Sequence, residues 1–250
     1  MTSKFIIRGL VQGIGFRPYI ARIGEELELT GFVRNTDGIV EVILKTSDIE
    51  AESENVKKMF LNALYSDLPA NAIIDNILEV FCSKEDESLI KNNEFYIAGS
   101  VAASIQAVDE CGDDSKFFTD GIDSNKSADS LDSHSIDPIP MIPVDLPMCD
   151  KCRAELFDKT NRRYMHPFIS CTECGPRYSI INSIPYDRVN ISMSKFPMCP
   201  ECEKEYTAHG DRRRHAQTIA CKNCGPRLEL KVFGEENKTI KVEDSNALDG

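Results

Sequence analysis

The stretch V-Q-G-I-G-F-R-P-Y-I, from Val11 to Ile20, joins two patterns that decide the fold of the N-terminal part of the chain. It follows a short apolar run, Lys4 to Leu10, which is typical of a β-strand. It leads into apolar residues at helical spacing, with Pro18 suited to the first helical position. The stretch therefore predicts a tight connection between a strand and a helix.

The same stretch has the residues of an anion-binding loop. Gly13 and Gly15 permit unusual backbone dihedral angles and the close approach of a ligand. The free amides of a helix N-terminus point toward whatever occupies the loop, and the planar guanidinium of Arg17 suits a phosphate. Two glycines alone are a weak signal, since most such pairs are plain turns. A phosphate cradle and an ordinary turn are both consistent with these residues.

Two further strand patterns lie on either side of a hairpin signal. They cover Gly31–Asn35 and Ile39–Leu44, and the dipeptide Asp37-Gly38 between them is typical of a tight hairpin turn. We therefore expect these two segments to form neighbouring antiparallel strands.

A second helix and two more strands complete a domain over residues 1–100. Ser47 and Glu50 are predicted to form a capping box, ahead of apolar residues on one helical face between Val56 and Leu64. The remaining strand patterns cover Ile73–Cys82 and Phe95–Ala98. The order βαββαβ predicts an α+β fold of the ferredoxin-like split type.

An acidic segment rich in Asp and Ser covers residues 101–140. Between Ser104 and Asp137 it has nine acidic residues and two lysines, a net charge of −7. Such a segment buries too little apolar surface to offset its ordering entropy, so we expect a flexible linker.

The composition of the whole chain excludes some classes of function. The formal net charge of −12 argues against general nucleic-acid binding and against docking on an anionic membrane. No apolar run reaches the roughly 20 residues of a membrane span. The N-terminus lacks the pattern of a secretory signal, and a reducing cytoplasm is the expected location.

Eight of the ten cysteines form a repeat in the C-terminal half. The pattern C-x2-C-x18-C-x2-C occurs twice, with a shift of 50 positions, at Cys149, Cys152, Cys171 and Cys174 and at Cys199, Cys202, Cys221 and Cys224. Arg162-Arg163 recurs as Arg212-Arg213 with the same shift. Repetition at a fixed period predicts two copies of one structural unit, at residues 141–190 and 191–232, followed by a tail at 233–250.

Four paired cysteines per copy suit one tetrahedral Zn²⁺ ion, so we expect two structural zinc ions. A complete ligand set leaves no open position for catalysis and argues against a dithiol redox role. A rubredoxin-like iron site uses the same ligands and remains an alternative. His166 and His215 do not align in the repeat, and we interpret them as packing or surface residues. Cys82 is expected in a buried strand, and Cys111 lies in the linker.

Charge also argues against a nucleic-acid-binding role for the cysteine repeat. Between Pro138 and Leu230 there are 14 Lys and Arg residues and 11 Asp and Glu residues. Eight thiolates and two Zn²⁺ ions bring the net charge to about −1, which is a poor basis for binding a phosphate backbone. The run Arg212-Arg213-Arg214 is then either a packing and thiolate-neutralising feature or a docking face.

The loop and the hairpin together resemble the acylphosphatase signature. V-Q-G-I-G-F-R is followed, 18 residues after Arg17, by Asn35 in G-F-V-R-N-T-D-G. The resemblance implies that Arg17 holds a phosphate and that Asn35 positions the attacking water. It also implies that the backbone amides of the loop form the cradle, at Gln12, Gly13, Ile14, Gly15 and Phe16. The alternatives are a surface salt bridge for Arg17 and a turn position for Asn35.

The combination of both halves resembles the N-terminal part of HypF-type hydrogenase maturation carbamoyltransferases. Shared motifs are N-R-R-Y, C-G-P-R-Y-S-I, P-Y-D-R and D-R-R-R-H-A-Q, and the resemblance covers residues 4 to about 100 and 138 to 230. It implies hydrolysis of carbamoyl phosphate, or another acyl phosphate, to supply carbamate, and a HypE-type acceptor protein as partner. The YrdC-like domain and the C-terminal domain of that family are expected to be absent. A non-catalytic, zinc-stabilised docking module is the alternative.

Overall fold

The computed structural model describes residues 1–91, 93–101, 143–231 and 239–241. These residues fall into two compact units, 1–12 with 16–101 and 13–15 with 143–241. The predicted linker after Val101, with Cys111, lies outside the described residues, as does most of the predicted tail.

Five strands and three helices make up the described part of the first unit. They are β1 Thr2–Leu10, α1 Phe16–Glu26, β2 Thr30–Thr36, β3 Ile39–Lys45, α2 Glu50–Ser66, β4 Ile73–Val80, α3 Lys84–Ser88 and β5 Phe95–Ile97. The strands form one sheet in the order β4-β1-β3-β2-β5, in which only β2 and β5 are parallel. The α+β prediction and the antiparallel pairing of the hairpin strands are confirmed. A fifth strand extends the ferredoxin-like sheet beside β2.

One face of this sheet forms the main apolar core. Burial alternates along β1, which places Phe5 and Ile7 on a single face, both fully buried. The ring of Phe5 lies 5.8 Å from the ring of Phe60 on α2. The two helices are also joined directly, because the hydroxyl of Tyr19 on α1 donates to the carbonyl of Leu64 on α2 at 2.7 Å. This packing fixes the position of the helix that follows the glycine loop.

The opposite face of the sheet carries a largely buried cluster of charges. Lys4 on β1 and Arg34 on β2 each contact both Glu41 on β3 and Asp86 on α3, at distances of 2.6 to 3.0 Å. Phe32, Ile43 and Cys82 pack together as an apolar cluster in the same unit. The five-residue helix α3 is absent from the sequence prediction, because its polar sequence K-E-D-E-S has no apolar periodicity.

Three local predictions were wrong in detail. Helix α1 begins at Phe16, so Pro18 is its third residue. Ser47 does not cap α2, which begins at Glu50. The hydroxyl of Ser47 instead accepts a hydrogen bond from the amide of Ile49 at 3.1 Å, an interaction typical of local serine turns. Strand β4 ends at Val80, so Cys82 is buried as predicted but lies beyond the strand.

The second unit has little regular secondary structure. Its described elements are α4 Asp150–Phe157, α5 Pro200–Thr207, the strand pair β6 Glu229–Lys231 and β7 Thr239–Lys241, and 3-10 turns at Tyr178–Ile180, Arg188–Asn190 and Ser192–Lys195. Helices α4 and α5 start 50 residues apart, as the repeat predicts. Strand β7 lies within the region predicted as a tail.

Cysteines form two of the small cores of the second unit, while a third, which contains Ile180, Tyr186 and Ile191, is apolar. Cys152, Cys171 and Cys174 pack with Ile169 in one buried cluster. The corresponding cluster in the second copy contains Cys202, Cys221, Ile219 and Ala216. Each of these two clusters has few large apolar side chains, a composition typical of small cores that a metal ion stabilises.

Candidate active site and metal centres

The glycine loop has the backbone conformation that its sequence predicts. Gly13 and Gly15 have φ angles of 73° and 78°, in the left-handed region that glycine occupies without steric cost. The buried side chain of Gln12 donates to the carbonyl of Ile39 at 2.9 Å, which ties the loop to the first residue of β3. The buried residues Ile14 and Phe16 complete the loop.

Arg17 lies in the first turn of α1 and is only 7% exposed. Its Nη1 atom donates a hydrogen bond to the hydroxyl of Ser100 at 3.1 Å. Its low exposure does not match the surface position that the alternative interpretation, a surface salt bridge, requires. Burying a guanidinium is costly unless its donors are engaged, and the Ser100 hydroxyl engages one of them.

Asn35 is a buried residue of β2, not part of the hairpin turn. It pairs across the strands with Val40, and it shares the helix-covered face of the sheet with Val33. The turn itself is formed by Asp37 and Gly38, with φ angles of 35° and 89°. The carbonyl of Asn35 accepts a hydrogen bond from the amide of Val101 at 3.1 Å.

The short segment after β5 connects the two predicted site residues. Ser100 contacts Arg17 through its hydroxyl, and the next residue, Val101, contacts Asn35 through its backbone. The structure thus brings Arg17 and Asn35 to one end of the sheet. The sequence prediction missed the contribution of Ser100, because a single serine after a three-residue strand has no distinctive pattern.

The eight repeated cysteines form two four-sulfur clusters, and the sulfur atoms within each cluster all lie within 4.8 Å of one another. Sulfur–sulfur distances of 3.7 and 3.8 Å join Cys149 to Cys171 and Cys171 to Cys174, and the same two distances recur from Cys199 to Cys221 and from Cys221 to Cys224. Four sulfurs ~2.3 Å from one tetrahedral ion are separated by roughly 3.8 Å. A disulfide needs ~2.05 Å. Both clusters therefore fit a tetrahedral metal ion.

The first cysteine pair of each copy is positioned by the start of a helix. Cys149 and Cys199 are the N-cap residues of α4 and α5, with φ angles of −75° in both. The amide of Cys152 donates to the sulfur of Cys149 at 3.5 Å. In the second pair, the amide of Glu173 donates to the sulfur of Cys171 at 3.4 Å. Such donors stabilise anionic sulfur, the form that binds metal.

Arginine side chains also contact the sulfurs. Arg162 donates to the sulfur of Cys202 at 3.3 Å, and Arg212 donates to that of Cys152 at 3.2 Å. Burial raises the pKa of the Cys202 thiol to about 12, and the hydrogen bond from Arg162 acts in the opposite direction. The contact of Arg212 with a cluster sulfur agrees with its interpretation as a packing and thiolate-neutralising residue, and the alternative of a docking face stays a prediction.

The two histidines near the clusters are not ligands. Among the described residues, both candidate metal groups contain only cysteines. His166 is 1% exposed, and the ring of His215 lies 4.7 Å from the ring of Tyr206. These positions agree with the interpretation of both histidines as packing or surface residues.

Two family models match the chain over the regions just described. The model described as Acylphosphatase matches residues 3–97, and the model described as HypF finger matches residues 148–181 and 198–231. An acylphosphatase of Alcanivorax borkumensis is 38% identical over 89 residues, which cover 35% of this chain and 89% of the relative. By residues 3–97, this chain belongs to the acylphosphatase family.

The similarity to HypF proteins extends over both units. Carbamoyltransferase HypF of Synechocystis sp. is 35% identical over 196 residues, 78% of this chain and 20% of the relative. The crystal structure of T. kodakarensis HypF is 33% identical with a TM-score of 0.67, covering 98% of this chain and 25% of that one. The chain is a homologue of the N-terminal region of HypF carbamoyltransferases. It spans about a fifth of the length of the curated HypF relatives that it matches.

Among the described residues, no helix combines the length and the apolar composition that a membrane span requires.

Proposed function

We propose that this chain hydrolyses acyl phosphates, with carbamoyl phosphate as the preferred substrate, at a site formed by Arg17 and Asn35. In this proposal it is the N-terminal portion of a carbamoyltransferase for [NiFe]-hydrogenase maturation, and it supplies carbamate. The observation that carries the proposal is the joint anchoring of the two residues. Arg17 and Asn35 each bond to one of the consecutive residues Ser100 and Val101.

The chemistry requires little more than binding and orientation. The guanidinium of Arg17 and the amides of Gln12–Phe16 bind the phosphoryl oxygens, and Asn35 orients a water molecule toward phosphorus. The water oxygen forms a bond to phosphorus, and the bond from phosphorus to the acyl oxygen breaks. Its electron pair leaves with the carbamate, while the water protons pass to phosphate and solvent. Because an acyl phosphate is an activated compound, no strong base is needed.

The metal clusters have a structural role in the proposal. Each is closed by four cysteines, a ligand set typical of structural Zn²⁺, so we assign one zinc ion to each cluster. In HypF-type proteins, a HypE-type acceptor is the expected recipient of the carbamoyl group. Neither the metal ions nor that partner takes part in the hydrolytic step.

Phosphate release from carbamoyl phosphate by the full chain tests the hydrolytic proposal. Arg17→Ala is expected to lower kcat/KM by at least ~100-fold, the usual effect of removing a donor to developing charge. Arg22→Ala is the matched control, since Arg22 is on the same helix, is 47% exposed and pairs with Asp67 at 2.9 Å. Equal activities of the wild-type chain and Arg17→Ala would contradict the proposal.

Two further measurements separate the alternatives. Asn35→Ala is expected to lower kcat with little effect on KM, because Asn35 orients water and does not bind phosphate in this scheme. Asn55→Ala, an exposed asparagine on α2, is its control. A folded wild-type chain that hydrolyses no acyl phosphate would instead support a docking module. Elemental analysis is expected to find two zinc ions per chain, and iron in their place would contradict the zinc assignment.

A further inference from the structure

Each four-cysteine cluster is contacted by arginines that belong to the other copy of the repeat. We call residues 149–174 the first copy and residues 199–224 the second copy. Arg162 and Arg163 of the first copy donate to Cys202 of the second, at 3.3 and 3.7 Å. Arg212 and Arg213 of the second copy donate to Cys152 of the first, at 3.2 and 3.8 Å. Exchanging the two copies converts each contact into its counterpart: the arginine is 50 positions later and the cysteine 50 positions earlier.

Glutamates hold these arginines in place, and they too come from the opposite copy. Glu205 of the second copy binds both Arg162, at 2.9 Å, and Arg163. Glu155 of the first copy binds Arg212 at 2.6 Å and Arg213 at 2.5 Å. Burial raises the pKa of each glutamate, but the arginine hydrogen bonds outweigh it, so both pKa values lie below the ordinary range.

The arginines also bind backbone carbonyls of the opposite copy. The Nε atom of Arg163 donates to the carbonyl of Ala220 at 2.9 Å, and the Nε atom of Arg213 donates to the carbonyl of Ser170 at 3.0 Å. Each acceptor lies one residue before a cysteine ligand. The side chains of Arg163 and Arg213 are only 2% and 4% exposed. A buried arginine with all of these contacts is fixed in one orientation.

The charge balance gives these arginines a role toward the metal. One Zn²⁺ ion with four thiolates carries a charge of −2, which is costly in a buried cluster without compensation. The two arginines that reach each cluster supply a charge of +2, and the glutamate paired with them offsets one of these charges. The four arginines also line a cleft of about 700 Å³, together with Glu155 and Glu205. We find no case for an anion site there, because the carboxylates and cysteine sulfurs already engage the guanidinium groups.

We propose that the arginines of each copy are positioning residues of the metal site in the other copy. Arg162 and Arg163 serve the second site, and Arg212 and Arg213 serve the first. The two sites therefore retain their metal jointly. Loss of the fold around one cluster withdraws the arginine pair from the other. This inference rests on the proposed zinc occupancy of both clusters and is independent of the hydrolytic activity.

Site-resolved cysteine alkylation in the full, metal-loaded chain tests the exchange. The chain is treated with a chelator and N-ethylmaleimide, and the alkylated cysteines are mapped to the two copies by peptide mass spectrometry. Arg213→Met is expected to accelerate alkylation of the first copy by about tenfold or more, the usual effect of removing an outer-sphere contact on metal affinity. Arg163→Met is expected to accelerate alkylation of the second copy. Arg153→Met, an exposed arginine on α4, is the matched control with no change.

The crossed pattern is the decisive result, since a merely local structural role predicts the reverse. If Arg213→Met affects only its own copy, or neither copy, the proposal is wrong. Should the methionine variants fail to fold, Arg213→Lys and Glu155→Gln address the same contacts. An increase in alkylation that starts in the first copy and precedes any increase in the second supports the proposal, and no increase in the first copy overturns it.

Joint retention is tested by removing one metal site. Cys171→Ser with Cys174→Ser disables the first cluster, and the second copy is then expected to release its metal at least tenfold faster than in the intact chain. An unchanged release rate contradicts the coupling. If the isolated wild-type chain contains no zinc, the zinc assignment fails by itself, and the same alkylation pattern is measured after loading with Cd²⁺.

Discussion

The guanidinium of Arg17 donates to the hydroxyl of Ser100 at 3.1 Å, which joins the first turn of α1 to a residue 83 positions later in the chain. The next residue, Val101, holds the carbonyl of Asn35. The short segment after β5 thus contacts both proposed site residues, although neither Ser100 nor Val101 belongs to the glycine loop.

Ser100→Ala is therefore expected to weaken substrate binding. A hydrogen bond to a charged group contributes about 1.5–3 kcal/mol, so we expect KM for carbamoyl phosphate to rise at least about tenfold with kcat nearly unchanged. Ser100→Thr keeps the hydroxyl and should restore KM. Ser66→Ala removes an exposed hydroxyl that bonds only within α2, to Ala63, and serves as the control. A wild-type KM in Ser100→Ala would contradict a positioning role.

Gly15→Ala tests the backbone conformation of the loop. At a φ of 78°, a residue with a Cβ atom costs about 1–2 kcal/mol, so the loop should relax away from its conformation. We expect a loss of kcat/KM for acyl phosphate hydrolysis, with a small decrease in the urea midpoint of unfolding. Gly99→Ala is the control, because a Cβ atom there meets no heavy atom within 4 Å. Equal kcat/KM values for the two variants would show that the loop conformation is not required.

The charge cluster on the far face of the sheet predicts a dependence of stability on pH. Burial raises the pKa of Asp86, but the hydrogen bond and charge of Lys4 and the charge of Arg34 lower it by more, so the net pKa is below the ordinary value. A lowered folded-state pKa means that Asp86 stabilises the fold above the unfolded-state pKa, about 3.9. This contribution is lost as the pH falls through the lower, folded-state value.

Asp86→Asn should lower the free energy of unfolding of the first unit at pH 7 by at most about 3 kcal/mol, the lower end of the range for breaking a buried ion pair. The loss is limited because Lys4 and Arg34 keep their ion pairs with Glu41. The difference from the wild-type chain should shrink as the pH approaches the folded-state pKa. Denaturant-dependent hydrogen exchange of peptides from β1 and β3 measures it within this unit. A difference that is constant between pH 7 and pH 3 would exclude the ion pairs as its cause.

Metal removal should affect the two units differently. The first unit has its own apolar core around Phe5 and Phe60, whereas two of the small clusters of the second unit consist largely of cysteines and its apolar cluster around Ile191 is small. Limited trypsin digestion after chelation should therefore release peptides from residues 143–231 first, while residues 1–101 stay protected. Equal protection of the second unit with and without metal would contradict a structural role of the ions.

Most of the first unit was predictable because its signals are local. Alternation along β1 and the Asp37-Gly38 turn each depend on neighbouring residues, so a single sequence reveals them. The Ser47 capping box failed because a serine hydroxyl also bonds nearby amides outside helices, and here Ile49 takes that role. The parallel partner of β2 and the contact of Ser100 depend on tertiary packing over long sequence separations, for which no local pattern exists.

In the second unit, the ligand set was predictable and its surroundings were not. Cysteine spacing is constrained by the metal, so the four-sulfur clusters follow directly from the sequence. Glu155 and Glu205 also repeat with the 50-residue shift, but a glutamate on a short helix is usually a solvated residue. Their role depends on which copy each arginine reaches, and that is a property of the three-dimensional arrangement.

Arg163 pairs with Glu205, and the equivalent residues of the other copy, Arg213 and Glu155, pair in the same way. The contact between the two copies is therefore isologous, as in a two-fold dimer, but it lies within one polypeptide. A single copy with its own arginine pair and glutamate has the surface of half a two-fold homodimer. In a homodimer, one substitution alters both contacts at once. Joined in tandem, the two halves mutate separately, so one contact can be tuned or lost while the other is kept. Ser170 and Ala220 are equivalent positions that already differ, and both keep their contact because each accepts through its backbone carbonyl.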